Sequence, residues 1–159
     1  VGPAIAWEMA FLENAEKMGY KSDSREVIEY QRELEETISS YKKMKEAGIK
    51  ILVGGDYGLD IAPHGTYAKD LEHYVNLFGF SNAEALHCAT SMGGEAMNND
   101  GLLGTIEEGK LADLVIIDGN PLEDITILQD HKKIKAVMKD GLIYQGLTNK
   151  INPYLNENL

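Results

Sequence analysis

Two side chains in the stretch 49–65, IKILVGGDYGLDIAPHG, have both the chemistry and the setting of a site. Asp56 follows an apolar run of Ile49, Ile51, Leu52 and Val53 that ends abruptly in Gly54 and Gly55. His64 stands at the next glycine-punctuated turn. A carboxylate at the end of a buried strand can ligate a metal, act as a general base, or cap the turn that follows it. From the residues alone the catalytic and the turn readings of Asp56 both stay open. His64 faces the same choice, and Pro63-His64-Gly65 also reads as a plain surface turn.

The other groups that could complete a site show no familiar spacing. His64, His73, His87 and His131 form no H-x-H or H-E-x-x-H pattern, and Asp60 and Asp70 flank the loop without a metal-ligand arrangement. A catalytic zinc takes about three protein ligands. Gly54-Gly55 lacks the glycine spacing and the Lys-Ser/Thr pair of a phosphate loop, and no G-x-S-x-G elbow is present. Cys88 lies in a helical pattern and reads as a small core residue. Taken alone, these groups complete no active site.

The elements that must position Asp56 are those of an α/β unit. Apolar residues at Trp7, Ala10, Phe11, Ala15 and Met18 have helical spacing and Gly19 follows them; Trp7 and Phe11 are expected in the core. Residues 1–6 read as a short strand. After a cap at Asp23 or Ser24, a long helix presents Val27, Leu34, Ile38, Tyr41 and Met44 on one face, with acidic residues early and lysines late, as the helix dipole favours. Gly48 ends it. The segment 49–55 is apolar without alternation, which predicts a strand buried on both faces of a parallel sheet. In such folds ligands sit at the carboxyl ends of strands, where Asp56 lies. A helix over 67–78 follows, then a capping box, Ser81 with Glu84, opening one helix over 83–97. Met92-Gly93-Gly94 near its end reads as a kink or a stop. From Gly101 onward the pattern changes to short strands and glycine turns, with strands at 114–117, 134–139 and 142–145. Asp140-Gly141 between the last two is a hairpin signal.

Composition bounds the rest. A chain of 159 residues has room for one real core. A formal net charge of -11 repels a phosphate backbone, so no nucleic-acid partner is expected. No apolar run approaches the ~18 residues of a membrane span, so no membrane partner is expected either. One cysteine makes no internal disulfide, and a cytoplasmic location is expected. The first residue is Val, and residues 1–17 are not a secretory signal.

Four motifs occur in order: GGDYGLDIAPHG, NAEALHCATSMGGEAM, GTIEEGKLADLVIIDGNPLEDI and KIKAVMKDGLIYQ. Together they resemble the C-terminal part of amidohydrolase-superfamily enzymes, in the branch of imidazolonepropionase-like and Xaa-Pro-dipeptidase-like metal-dependent hydrolases. The resemblance runs from about Ile49 to Gln145. It implies the C-terminal part of a (β/α)8 TIM-like barrel, about the last two βα units, with strands of a small β-sandwich subdomain. The division it suggests is a partial barrel segment over 1–100, subdomain strands over 101–147 and a polar tail over 148–159.

By that resemblance Asp56 stands at the aspartate of a G-[TS]-D-x-G motif after the eighth strand. It would ligate the catalytic metal and accept a proton from the attacking water. Gly55 occupies the position where Thr or Ser is usual. His64 matches a P-H-G that follows this aspartate and would touch substrate or the groups that support the metal ligands. The implied cofactor is zinc, one or two divalent ions in the parent enzyme, and the implied substrate is a small-molecule amide or dipeptide. The family's H-x-H, its bridging lysine or glutamate and its later histidines have no counterpart here. The expectation is therefore a C-terminal portion of a C–N hydrolase, inactive alone, completed by a missing N-terminal portion or by homo-oligomerisation. The rival expectation is a non-catalytic α/β binding or assembly module.

Overall fold

The computed structural model describes residues 1–97 and 101–146; the expected polar tail lies outside them. Helix α1 spans Ile5–Asn14 and buries Ile5, Ala6, Ala10 and Phe11. Residues 1–6 therefore do not make a strand, because Ile5 and Ala6 already belong to the helix. Met18 falls beyond its end and is exposed, and Trp7 is half-buried, its indole N–H donating to Tyr30 Oη at 3.4 Å. Phe11 does reach a core, stacked on Tyr30 with ring centroids 4.0 Å apart. Helix α2, Arg25–Glu46, starts where Ser24 Oγ accepts from the Val27 N–H, and carries Lys43 and Lys45 in its last turn. Leu34, Ile38, Tyr41 and Met44 form its inner stripe against the main core, while its outer face holds exposed pairs such as Arg25–Glu29. Such pairs are worth little, and the stripe holds the helix in place.

The segment 49–55 is buried at Ile51 but forms no strand. One rung of a parallel ladder is present: the Val1 amino group donates to Lys50 O at 3.0 Å, and the Leu52 N–H donates to Val1 O at 2.7 Å. A ladder needs a neighbour with matching donors and acceptors at successive positions. Among the described residues the pairing is confined to this one position, and the segment is extended without being part of a sheet. Tyr74 Oη donates to Leu52 O at 2.6 Å and anchors it from the helical side.

Helix α3, Lys69–Phe78, begins two residues later than its pattern suggests and ends at Gly79 in the left-handed region. The capping box is formed: Ser81 Oγ accepts from the Glu84 N–H, and Glu84 accepts from the Ser81 N–H at 2.7 Å. The helix it opens is not continuous. It divides into α4, Asn82–Ala89, and α5, Ser91–Ala96, at Thr90, whose hydroxyl donates back to Leu86 O at 2.7 Å. Such back-bonding bends helices. The Gly93-Gly94 pair lies inside α5 instead of stopping it. Gly94 serves close approach, since a Cβ there would sit 2.5 Å from Leu103 O.

Strands β1 (Leu114–Ile117), β2 (Ile134–Lys139) and β3 (Leu142–Gly146) form one antiparallel sheet in that order. Asp140 (φ 50°) and Gly141 (φ 78°) turn the β2–β3 hairpin, both left-handed as a type I′ turn requires. A 3-10 turn, Ile125–Gln129, links β1 to β2 and fastens the sheet to the helices. Its Ile125 enters the main core with Ile5, Ile51, Leu71, Tyr74, Phe78, Phe80, Ala85 and Cys88. Gln129 Nε2 donates to Glu72 on α3 at 2.7 Å.

Candidate functional site

The loop from Gly54 to Gly65 connects the anchored segment to α3 and carries both candidate residues. It is folded back on itself: Leu59 and Ala62 form an isolated antiparallel bridge, and the Gly58 N–H donates to Ala62 O at 2.9 Å. Asp56 is exposed and has φ 54°. A left-handed backbone costs an L-residue about 1–2 kcal/mol, least for Asp and Asn, so surrounding contacts must hold it. Among the described residues the other non-glycine with positive φ is Asp140 of the hairpin turn, where the geometry is expected. At Asp56 no hairpin demands it.

Tyr57 supplies the contacts. Its ring lies over Gly55 so closely that a Cβ at Gly55 would stand 2.3 Å from Cε2, and 2.8 Å from Ala6 Cβ. The absence of a side chain at 55, where the resemblance leads one to expect Thr or Ser, is therefore matched by the presence of this ring. Tyr57 also meets Tyr67 edge-on, with centroids 4.8 Å apart and planes at 87°. Tyr67 Oη and His64 Nδ1 share a hydrogen bond of 2.8 Å. The exposed His64 ring rests on Gly58, where a Cβ would fall 3.1 Å from Nε2. Asp56 and His64 thus share one loop, and the contacts connecting their positions run through Tyr57 and Tyr67. No hydrogen bond joins the two directly among the described residues.

Below the loop lies a group that the sequence reading left aside. Asp70, in the first turn of α3, is fully buried. Burial pushes its carboxyl up to about 6, against the pull of the Tyr57 hydroxyl, which favours the ionised form. Tyr57 is in turn driven well above its ordinary value, by burial first and by the Asp70 charge second. Yet the Tyr57 hydroxyl and both Asp70 carboxylate oxygens are buried with no partner in hydrogen-bond geometry. His73, one turn along α3, is buried too, and its Nε2 has no partner. Desolvation holds it below the usual histidine range, assisted by Lys69. The signal for Asp70 was legible as a pattern: residues 70, 74 and 78 share one helix stripe, and an acid among Tyr74 and Phe78 on a buried stripe is anomalous.

The remaining titratable groups stay apart. Asp60 is exposed in the Leu59–Ala62 turn, His131 is exposed, and His87 is exposed beside Ser91, with which it shares a hydrogen bond. No group of three or more His, Cys, Asp or Glu among the described residues is arranged to hold a metal ion. Asp56 can offer a divalent ion one carboxylate, which does not make a centre. A cleft of about 870 Å³ opens between the helices and the sheet, lined by apolar residues such as Leu52, Val53, Leu71, Leu86 and Ile117. Neither Asp56 nor His64 lines it. No described helix is long and apolar enough to cross a membrane.

Comparison with known proteins places this loop and its flanks. The amidohydrolase family matches residues 10–143. Ochratoxinase from Aspergillus niger is 34% identical over 118 residues, which is 71% of this chain and 24% of that protein. Its crystal structure superposes with a TM-score of 0.77 at 26% identity, over 91% of this chain and 31% of that one. A putative prolidase from Bifidobacterium longum gives a TM-score of 0.77 at 29% identity, over 89% and 34%. A Xaa-Pro dipeptidase with methionine bound in its active site gives 0.71 at 31% identity, over 89% and 34%. The chain spans about a quarter of the curated relative and about a third of each solved chain.

Proposed function

The chain belongs to the amidohydrolase family, and we propose that it is the C-terminal portion of a metal-dependent hydrolase of C–N bonds, contributing Asp56 to the reaction centre. The observation that carries this reading is the exposed, left-handed Asp56 at the end of the buried segment, in a chain whose family match extends on both sides of it. An exposed carboxylate in that position acts as a general base. It accepts a proton from the water whose oxygen bonds to the carbonyl carbon; the C–N bond breaks and the departing nitrogen takes up a proton. A positioned base of this kind contributes about 10²–10⁴-fold in rate. His64, held by Tyr67, is suited to contact substrate at the rim.

In the same reading Asp56 is one ligand of a zinc site with one or two ions. The described residues do not form that site by themselves, so its other ligands come from outside them, on the same polypeptide or a second copy. The portion itself corresponds to about the last two βα units of a barrel with a small β subdomain. A small amide or dipeptide is the substrate class, supported by the prolidase and Xaa-Pro dipeptidase names of two similar structures. A cytoplasmic setting belongs to the proposal.

The test compares the 159-residue chain with the complete polypeptide, each assayed for metal content and for hydrolysis of Xaa-Pro dipeptides and N-acyl amino acids. The chain alone should hold no stoichiometric zinc and show no turnover, while the complete polypeptide does both. Enzymatic turnover by the chain alone would refute the shared-site proposal. No turnover in either would favour a non-catalytic binding or assembly module.

A further inference from the structure

We propose that Tyr67 sets the tautomer of His64: its phenol donates to Nδ1, which leaves the ring proton on Nε2, so that His64 meets an oxygen of the substrate as a neutral N–H donor. Tyr67 is a positioning residue, since it acts through His64, and the proposal rests on the reading of His64 as a substrate contact at the rim.

The bond is present in the structure, with Tyr67 Oη and His64 Nδ1 2.8 Å apart. Its direction follows from the chemistry of the two groups. A neutral imidazole has one nitrogen that donates and one that accepts, and the bond made at one fixes the role of the other. A phenol O–H is a more acidic donor than an imidazole N–H, and an imidazole lone pair is a more basic acceptor than a phenol oxygen. The proton of this bond therefore lies on Tyr67 Oη and points at Nδ1. Among the described residues this is the one side-chain hydrogen bond that His64 makes, and the ring is exposed, which leaves Nε2 open to a ligand.

The backbone and the packing hold the pair in this arrangement. Residues 64 and 67 belong to one turn, closed by the Thr66 hydroxyl, which donates to Pro63 O at 2.8 Å. Tyr67 O accepts from the Asp70 N–H at 3.2 Å, so Tyr67 is fixed at the entrance to α3. The Tyr67 ring is braced edge-on by Tyr57. The other edge of the imidazole comes over Gly58, where a Cβ would lie 3.1 Å from Nε2 and 3.3 Å from Cε1. His64 is thus held by a bond at Nδ1 and by packing along its Nε2 edge. Gly58 is two residues along the loop from Asp56, so the edge that carries the donor lies beside the backbone that presents the carboxylate. A dipeptide or N-acyl amino acid offers such a donor two oxygens, that of the terminal carboxylate and that of the scissile carbonyl.

The experiment uses the complete polypeptide with Tyr67→Phe, His64→Gln, their double variant and His64→Ala. Glutamine keeps an N–H near the position of Nε2 but offers Tyr67 no ring nitrogen. With nitrogen-15 in the histidines, and His64 identified by its loss in His64→Gln, NMR of the neutral ring should show a protonated Nε2 and an unprotonated, hydrogen-bonded Nδ1. Tyr67→Phe should shift the Nδ1 signal and return the tautomer balance towards that of a free histidine side chain. On a Xaa-Pro dipeptide, Tyr67→Phe should lower kcat/KM about threefold to tenfold and His64→Ala about tenfold or more, as expected for weakening and for deleting one hydrogen bond. In the His64→Gln background, Tyr67→Phe should cost nothing further. The split of the loss identifies the oxygen. A rise in KM alone assigns the terminal carboxylate, bound alike before and during reaction, and a fall in kcat assigns the scissile carbonyl, where charge develops. The proposal is refuted by a proton on Nδ1, or if Tyr67→Phe leaves kcat/KM within about twofold while His64→Ala lowers it about tenfold or more. If His64→Ala itself turns over like the parent, the substrate contact fails, and the nitrogen signals still decide the tautomer.

Discussion

Replacing Gly55 by alanine tests the packing that supports Asp56. The added Cβ would lie 2.3 Å from Tyr57 Cε2, 2.7 Å from Cζ and 2.8 Å from Ala6 Cβ. Carbon atoms rest at about 3.5–4.0 Å, so the ring must retreat by more than an ångström or so. Gly55 has no positive φ, so alanine adopts its backbone without strain and gains about 0.4–1 kcal/mol from a less flexible unfolded chain. Overpacking costs about 1–3 kcal/mol, and three contacts under 3 Å put this site in the upper part of that range, about 2–3 kcal/mol, which leaves a net loss of about 1–2.6 kcal/mol. For a chain of this size that is a fall in Tm of roughly 2–10 °C. The assay is urea or thermal unfolding, repeated in a Tyr57→Ala background. Without the ring, two of the three short contacts vanish, and the cost of the added methyl should drop by about 1 kcal/mol as a coupling term. If Gly55→Ala is neutral or stabilising, or its cost is the same in both backgrounds, the ring does not pin position 55 and the reasoning is wrong.

Two further outcomes follow from buried contacts. Gly94→Ala should destabilise the chain by about 1–3 kcal/mol in the same unfolding assay, because its Cβ meets the Leu103 carbonyl and the Gly104 backbone, which cannot swing away as a side chain can. The pH dependence should carry the mark of Asp70. Its carboxyl ionises at 3.8 in its ordinary state and near 6 when folded, so between these values the folded protein holds the extra proton. Stability contributed by that proton is present at low pH and is lost as pH rises through about 6, by an amount on the order of 3 kcal/mol. The charge on Asp70 also raises the Tyr57 and Tyr74 hydroxyls, after burial in each case. With His73 close by on the same helix, the Asp70→Asn variant is the control: unfolding measured from pH 4 to 7 should lose this slope.

The sequence carried the helices well where one face was apolar and a cap was explicit. Ser24 and the Ser81–Glu84 box open helices as read, and Asp140-Gly141 turns the hairpin. It misled where the outcome depended on a neighbour. Residues 49–55 look like a buried strand, but strand formation requires lateral partners, and the described residues pair with the segment at one position. The pattern over 83–97 is periodic enough for one helix, yet the chain leaves helical geometry at Thr90 (φ −109°, ψ −90°), whose hydroxyl and N–H both donate to the Leu86 carbonyl. Asp56 was visible as a carboxylate after an apolar run; its left-handed backbone was not, because φ at a single residue depends on tertiary packing that no local pattern encodes. Asp70 flanks the loop with no metal-ligand spacing, and only its place on the buried stripe of Tyr74 and Phe78 marks it in the sequence.

The measurement that bears most directly on the account is hydrolysis of a Xaa-Pro dipeptide by the complete polypeptide carrying Asp56→Asn, with folding checked by circular dichroism. Asparagine keeps the shape and the tolerance of a left-handed backbone but accepts no proton, so kcat/KM should fall by about 10²–10⁴-fold while the fold is retained. A variant that folds normally and turns over within a few-fold of the parent would show that Asp56 is a turn residue after all.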